Sequence, residues 1–250
     1  MRSFFCGLGD FALFSLSVVR KALGGGYSFR SCVEQMHRIG VESLSVVNLC
    51  TLFIGLVLVL QTAAQLTRFG AKAEVSGIVW SSFILEIGPV FAAIMFAGRS
   101  GTGIAAEIGS MVVTEQIDAY VVFGADPAAR LAVPRVLATA IMLPALTVLA
   151  SVVGIFGGLL LAKFHLGVDG SMYLKKGIEA VTRLDIVACL TKGLSFGLLV
   201  GLISTWFGFR TARTADAVGA AATKTMVAGV LAILLVDLVL TRTFLLVQYG

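Results

Sequence analysis

The sequence predicts an all-α integral membrane protein, and three of its properties support that fold class. Of the 250 residues, 58% are hydrophobic and 13% are charged, whereas a soluble domain averages about 25% charged residues. Five stretches are apolar over about 20 residues, the length that a helix needs to cross the hydrocarbon core. The ten-residue alternation that is typical of membrane β-barrels does not occur. Helices are therefore the expected way of satisfying the backbone in lipid.

The predicted elements follow one another in a simple order. Residues 1–43 form an N-terminal interfacial and amphipathic region, because the stretch from Phe4 to Leu23 is rich in Phe and Leu and ends on Arg20 and Lys21. This pattern is typical of a helix at the membrane surface. Residues 44–250 form a five-helix domain. Its predicted spans are residues 44–64, 75–97, 136–162, 186–206 and 226–247, and residues 98–135 form a more polar segment between spans two and three.

The distribution of positive charge indicates how the spans are oriented. With a cytoplasmic N-terminus, the segments on the cytoplasmic side hold eleven Lys and Arg residues and those on the other side hold six. Cytoplasmic loops carry the excess of Lys and Arg, so we predict a cytoplasmic N-terminus and a C-terminus on the outer side. The same basic residues are scattered singly, which argues against nucleic-acid binding.

Four polar side chains lie inside the predicted spans, where an ionisable group costs at least about 2.5 kcal/mol. Glu86 and Asp237 lie at the centres of spans two and five, Lys192 lies six residues into span four, and Gln61 lies near the end of span one. Three interpretations are open. Glu86 and Lys192 form a structural ion pair, or the groups line a cavity that meets a headgroup or water, or Glu86 carries a proton relay.

The neighbours of these groups predict local adjustments of the helices. Pro89 cannot donate a hydrogen bond to the carbonyl of Leu85, so it loosens span two close to Glu86. Asp237 precedes Thr241 by one helical turn and lies near Arg242, and either residue could satisfy its carboxylate. A structural role and a functional role are equally open for Asp237.

Glycines recur at a spacing of four residues on two spans. Gly193, Gly197 and Gly201 share one face of span four, and Gly154 and Gly158 share a face of span three. Such stripes let helix backbones approach closely. They either close the bundle within one subunit or form a contact between subunits.

The segment at residues 98–135 is too polar to span the membrane. From Ile104 its pattern is that of an amphipathic helix, and no Lys or Arg occurs between Thr102 and Ala125. A helix on the anionic cytoplasmic leaflet normally carries Lys and Arg, so we predict that this acidic face meets a protein partner with basic groups. Gly124-Ala125-Asp126-Pro127 predicts a turn with Asp126 as a cap. The polar residues of the face are Glu107, Ser110, Thr114, Glu115 and Asp118.

The motifs of soluble enzymes are not supported. Residues 101–106 match a dinucleotide-binding pattern, but they follow a membrane span rather than a β-strand. Residues 219–225 lack the glycine that precedes the lysine in a phosphate loop. The two His and four Cys residues have no metal-site or catalytic-triad arrangement. We expect no cofactor, metal or catalytic residue in this chain.

A block of residues in and after span two resembles a known family. It reads EIGPVFAAIMFAGR from Glu86 to Arg99 and continues through IAAEIG at 104–109 and TEQIDA at 114–119 to Asp126-Pro127. The block is similar to the MlaE-type permeases, the membrane subunits of Mla/MCE phospholipid ABC transport systems. The resemblance covers nearly the whole chain, with further counterparts for Gln61, Pro134-Arg135, Lys192 and Asp237.

The resemblance implies a homodimer that binds ABC-type ATPase subunits, an MCE-domain lipid-binding protein on the outer side and, in some members, a STAS-domain regulator. ATP and Mg²⁺ would be bound by the ATPase. Some members carry Arg before the Glu of span two, where this chain has Leu85, so Lys192 is expected to make the headgroup contact. The residues expected near the phospholipid are Gln61, Glu86, Lys192 and Asp237. Those expected in a cytoplasmic coupling helix are Arg99, Glu107, Thr114, Glu115 and Asp118.

The function that the resemblance implies is that of a non-enzymatic permease subunit in a bacterial inner membrane. It would move phospholipid between that membrane and an MCE partner and contribute to outer-membrane lipid asymmetry. Two other classes stay open. One is an integral-membrane enzyme that modifies lipid, with Glu86 or Asp237 as acid or base. The other is a proton-coupled carrier that uses Glu86 and needs no ATPase.

Overall fold

The computed structural model describes residues 2–25, 27–71, 74–167 and 169–249, and these residues are almost entirely helical with no strand. The all-α fold class is therefore confirmed. In this part of the chain, the π-helical turns Phe83–Ile87, Ala97–Gly101 and Ala128–Ala132 interrupt or precede the α-helices. The α-helices are α1 (Arg2–Leu23), α2 (Phe29–Gly40), α3 (Leu44–Arg68), α4 (Val75–Ser82), α5 (Gly88–Phe96), α6 (Thr102–Val113), α7 (Gln116–Val122), α8 (Val133–Leu166), α9 (Gly170–Ala180), α10 (Arg183–Phe209) and α11 (Ala215–Tyr249).

Within the described ranges, five helical stretches are long and apolar enough to cross a membrane, as the sequence predicts. Each extends beyond its predicted bounds at one or both ends. The reason is that an apolar run marks only the lipid-buried part of a helix, whereas the backbone hydrogen bonds continue into the polar flanks. The stretches are Phe29–Arg68, Val75–Val113, Ala128–Phe164, Arg183–Phe209 and Ala215–Val247.

The chain divides into two compact units, each made of several separate stretches. Unit 1 comprises residues 1–43, 96–142 and 195–235, and it contains the predicted coupling segment. Unit 2 comprises residues 44–95, 143–194 and 236–250, and it contains the ionisable groups of spans two, four and five.

In unit 1, helix α1 packs along one side and leaves the other side exposed. Val18 is buried against Ala132 and Val133, and Asp10 forms an ion pair with Arg210 at 2.9 Å. The remaining surface of α1 is apolar, of the kind that an interfacial helix presents to lipid. The large apolar side chains exposed on α1 are Leu8, Leu13, Leu16, Val19 and Leu23.

In unit 2, the core surrounds Phe83, which is fully buried. Helix α9 packs on α4: Gly177 lies against the ring of Trp80, and the hydroxyl of Ser76 donates to the carbonyl of Tyr173. Burial raises the pKa of the Tyr173 phenol. Helix α9 is not among the elements predicted from the sequence, because its eleven residues are amphipathic and lie between two much stronger apolar runs.

The glycine stripes fit closely against neighbouring helices of the same unit. In unit 1, a Cβ on Gly197 of α10 would stand 2.5 Å from the carbonyl oxygen of Thr139 of α8. In unit 2, Gly154 of α8 lies against the ring of Phe83, and a Cβ on Gly158 would stand 2.7 Å from the hydroxyl oxygen of Tyr173. Of the two interpretations left open, closure of the bundle within one subunit accounts for these positions.

Gly197→Ala is expected to lower the thermal unfolding temperature of the protein in detergent. The new methyl group would meet backbone atoms of Thr139 and Ala140 that cannot move independently, and such overpacking costs about 1 to 3 kcal/mol. Gly219→Ala is the matched control, since a Cβ there meets nothing within 4 Å and alanine favours the helix by about 1 kcal/mol. A fall of similar size in both variants would contradict the close-packing account.

Candidate functional site

The helix of span two changes its winding at the ionisable position. Helix α4 gives way to the π-helical turn Phe83–Ile87, which contains Glu86, and α5 begins at Gly88. Since Pro89 has no N–H, the carbonyl of Leu85 loses its usual helical donor. The structure supplies another donor, because the ammonium of Lys192 lies 2.9 Å from the Leu85 carbonyl oxygen and donates to it. The loosened helix predicted at Pro89 is confirmed by this π turn.

Lys192, on α10, is the centre of a group that we call the span cluster, made of Glu86, Lys192, Asp237 and Thr241. Its Nζ lies 2.9 Å from Glu86 Oε1 and 2.8 Å from Asp237 Oδ1. It also donates to the hydroxyl of Thr241 at 2.7 Å, and that hydroxyl donates to Glu86 Oε1 at 2.9 Å. Three spans thus contribute to one cluster within unit 2.

The cluster has more acceptors than its ammonium has hydrogens. Nζ has four oxygens within 2.9 Å, those of Leu85, Glu86, Asp237 and Thr241, but only three N–H groups. Asp237 Oδ1 is buried, and the Lys192 ammonium is the charged group beside it among the described residues. Among the charged members, two carboxylates face one ammonium, so the span cluster carries one negative charge in excess when all are ionised.

The members of the span cluster differ in exposure. Lys192 is 1% exposed, the side chain of Asp237 is 17% exposed and that of Glu86 is 42% exposed. Lys192 thus satisfies groups of its own chain, and Glu86 is the member that faces outward. The partners predicted for Asp237 are Thr241 and Arg242, but the structure brings Lys192 to it instead. The ion pair of Glu86 with Lys192 is present as one of the sequence interpretations describes it.

Gln61, also expected near the phospholipid, lies on α3 in unit 2. Its side chain is exposed. The structure therefore brings together Glu86, Lys192 and Asp237 and does not join Gln61 to them.

The predicted coupling segment consists of two helices rather than one. Helix α6 ends at Val113, and α7 begins at Gln116. Glu115 between them has φ +57°, a left-handed backbone conformation that residues other than glycine rarely adopt. The expected continuous acidic face is therefore broken at Thr114, whose hydroxyl donates to the Ser110 carbonyl at 2.8 Å.

Beyond the break, the acidic side chains meet a cation that the sequence analysis did not assign to them. Arg213 lies 2.7 Å from Asp118 Oδ2 and 3.7 Å from Glu115 Oε1. All three side chains are more than half exposed. The pairing joins the segment after α10 to α7 through contacts that water screens.

Before the break, Glu107 binds two arginines from different helices. Its Oε2 lies 3.0 Å from Arg135, which is 4% exposed, and its Oε1 pairs with Arg38 of α2. Arg99 pairs with Glu42 at 3.7 Å on the surface. The two ion pairs of Glu107 fix α6 to α2 and to the start of α8 within unit 1.

The turn after α7 is the one that the sequence predicts. Gly124 has φ +71°, and the backbone N–H of Ala128 donates to Asp126 Oδ1 at 3.0 Å, which confirms Asp126 as a cap. Partial burial opposes ionisation of Asp126. The Lys21 ammonium, whose Nζ lies 2.5 Å from Oδ2, and the backbone N–H groups of Ala128 and Ala129 together outweigh burial and lower the pKa of the carboxyl. The pairing therefore stabilises unit 1 at neutral pH and is lost as the pH falls through that lowered pKa.

An apolar tip at the end of α7 was missed by the sequence analysis. Val121, Val122 and Phe123 are 61%, 82% and 85% exposed. Three consecutive exposed apolar side chains on a polar projection are typical of a surface that another protein covers. The run of Val-Val-Phe just before Gly124 is the sequence signal that could have indicated it.

The fold and these two sites define a class of protein. The protein is a polytopic helical membrane protein with a charged cluster inside its spans. It also has an acidic segment with an exposed apolar tip. This combination is typical of the membrane subunit of a transporter. Among the residues that the structure describes, no group of three or more His, Cys, Asp or Glu side chains is arranged to hold a metal ion.

Comparison with known proteins identifies the family. The model of the family described as Permease MlaE matches residues 32–243, and the chain belongs to this family. It is 35% identical over 237 residues, 95% of this chain and 92% of the relative, to a probable ABC transporter permease protein of Rickettsia bellii. It is 36% identical to the intermembrane phospholipid transport system permease protein MlaE of Haemophilus influenzae, over 85% of this chain and 82% of that protein. The chloroplastic protein TRIGALACTOSYLDIACYLGLYCEROL 1 of Arabidopsis thaliana is 34% identical over 91% of this chain and 65% of that protein.

Proposed function

We propose that this chain is the permease subunit of an ABC transporter that moves phospholipid between the bacterial inner membrane and an MCE-domain partner, and so contributes to outer-membrane lipid asymmetry. It works as a homodimer with a separate ATPase that holds ATP and Mg²⁺, and some assemblies include a STAS-domain regulator. Its N-terminus is cytoplasmic and its C-terminus periplasmic. The family, and the phospholipid named in the Haemophilus relative, support this proposal.

The observation that carries the proposal is the span cluster. If Glu86, Lys192 and Asp237 only fixed the register of the helices, all three side chains would be expected to be buried, because a charge exposed to lipid is costly. The Glu86 side chain is 42% exposed, which fits a cavity where a lipid headgroup or water meets the carboxylate. We assign Glu86 to direct contact, and Lys192 and Asp237 to holding it in place. Gln61 is assigned to the same cavity.

The proposed coupling surface consists of α6, α7 and the turn between them. Glu107 fixes its base through ion pairs within unit 1, and Arg99 lies in the turn that precedes α6. Thr114 and Glu115 lie at its bend, and Asp118 lies in the first turn of α7. The exposed Phe123 and its two neighbours would insert into an apolar recess of the ATPase, with acidic groups facing basic residues around that recess. Closure of the ATPases on ATP would then move this segment, and the lipid cavity would change shape with it.

The double variant Glu115→Lys, Asp118→Lys is expected to lower recovery of the ATPase with the tagged permease roughly tenfold, which corresponds to about 1.4 kcal/mol of binding free energy. The reason is that like charges would then face each other across the interface. Co-purification from membranes of cells that express both subunits measures the effect.

A third change separates this effect from loss of the pairs with Arg213. Adding Arg213→Glu to the double variant restores opposite charges within the chain but leaves Glu115 and Asp118 reversed. The proposal predicts that ATPase recovery stays low in the triple variant. Full recovery would show that the acidic residues act only through Arg213, and the proposed contact with the ATPase would then be wrong.

A further inference from the structure

We propose that the outward-facing carboxylate of Glu86 selects phospholipids whose headgroup carries a primary amine over phospholipids whose headgroup is anionic. The inference rests on the proposed function, since it takes Glu86 to be where the headgroup lies. It concerns which class of phospholipid is bound, and it follows from the charges and hydrogen bonds of the span cluster.

The span cluster contains two carboxylates and one ammonium. Glu86 and Asp237 form their ion pairs with Lys192 alone among the described residues. Arg242, next to Thr241 on α11, pairs with neither carboxylate. When both carboxylates are ionised, one ammonium leaves one negative charge uncompensated, and a low dielectric constant makes that imbalance costly.

Lys192 is not available to a phosphate group. It is 1% exposed, and its nitrogen is already surrounded by the oxygens of Leu85, Thr241 and the two carboxylates. A phosphate could reach this ammonium only by displacing one of those oxygens. The cluster therefore presents an anion, not a cation, to a bound molecule.

The two carboxylate oxygens of Glu86 have different surroundings. Oε1 pairs with Lys192 and accepts from Thr241 at 2.9 Å, whereas Oε2 has no hydrogen-bond partner among the described residues. A primary ammonium has three N–H donors and one positive charge, so it would satisfy Oε2 by a charge-assisted hydrogen bond and neutralise the cluster. A quaternary ammonium brings the charge without a donor, and a phosphoglycerol headgroup brings neither.

The test uses the full-length chain purified in mild detergent. It is incubated with an equimolar mixture of phosphatidylethanolamine, phosphatidylcholine and phosphatidylglycerol with identical acyl chains, washed, and analysed for bound lipid by mass spectrometry. We expect about tenfold more phosphatidylethanolamine than phosphatidylglycerol, the ratio that one charge-assisted hydrogen bond provides. Phosphatidylcholine is expected between the two. Glu86→Gln should bring the ratio to within about twofold of unity.

Glu74→Gln is the matched control, because Glu74 lies in the same unit, pairs with Lys176 at 2.5 Å on the surface and is outside the span cluster. It should keep the wild-type ratio. Equal binding of the three lipids by the wild-type chain, or an unchanged ratio in Glu86→Gln, would overturn the inference and leave the proposed function standing. Failure of the wild-type chain to retain any phospholipid would overturn the proposed function itself. The wild-type ratio decides the inference even if Glu86→Gln is not recovered in folded form.

Discussion

Lys192→Met is expected to abolish lipid transport and to destabilise the protein by about 3 to 5 kcal/mol, the cost of leaving buried charge without its partner. Lys192 is the one ammonium that Glu86 and Asp237 share among the described residues. It also supplies the hydrogen bond that Pro89 cannot give to the Leu85 carbonyl. Methionine is an unbranched side chain one atom shorter than lysine, and it removes all of these interactions. Thermal unfolding in detergent and lipid transfer from proteoliposomes measure the two effects.

A charge-balanced variant tests whether stability and transport depend on the same property. Adding Glu86→Gln and Asp237→Asn to Lys192→Met removes every charge from the span cluster. Most of the lost stability should return, because neutral side chains of similar volume are tolerated where an unpaired charge is not. Transport should stay absent, because the carboxylate that meets the headgroup is gone. Recovery of transport in this triple variant would show that the cluster has only a structural role.

Glu107→Gln is expected to have the largest effect among single changes in unit 1. Glu107 binds two arginines, and Arg135 would be left at 4% exposure without a carboxylate. Loss of one partner of a buried ion pair costs about 3 kcal/mol or more. The base of the coupling segment would loosen at the same time, so recovery of the ATPase should also fall.

Glu42→Gln is the control for Glu107→Gln. It removes an ion pair of the same unit whose side chains are exposed and whose charged atoms are far apart. Arg99 lies 3.7 Å from Glu42, and both side chains are at least 40% exposed. Exposed pairs contribute about 0 to 1 kcal/mol. The two variants should therefore differ clearly in unfolding temperature. Equal and small shifts would indicate that the ion pairs of Glu107 do not fix the segment.

Much of the span cluster could be predicted from the sequence, because charged residues are costly and rare within membrane spans. An ionisable residue in an apolar stretch of 20 residues must have a partner or a function, so Glu86, Lys192 and Asp237 stand out without any structure. Pro89 has an equally local signature, since its missing N–H leaves a defined carbonyl without a donor. The structure adds that Lys192 fills this gap.

The exposure of each side chain and the pairings over long sequence distances could not be predicted. Whether Lys192 or Glu86 faces outward depends on how spans two, four and five are rotated, and an all-apolar helix has no polar face to show this. Arg213 lies 95 residues from Asp118 along the chain, so no local pattern indicates that they pair. The left-handed conformation at residue 115 is also not indicated by the sequence, because the residue is Glu and not glycine. Helix α9 has too few apolar residues to stand out between two spans.

The most direct test of the account is ATP-dependent lipid movement by the reconstituted complex. The permease and its ATPase are placed in proteoliposomes that contain a labelled phospholipid, and transfer to an external MCE-domain acceptor is followed with and without ATP. We predict transfer that requires ATP hydrolysis and that is lost in Lys192→Met, although the ATPase still binds. Equal transfer without ATP, or in Lys192→Met, would contradict the claim that the span cluster is the lipid site of an ATP-driven permease.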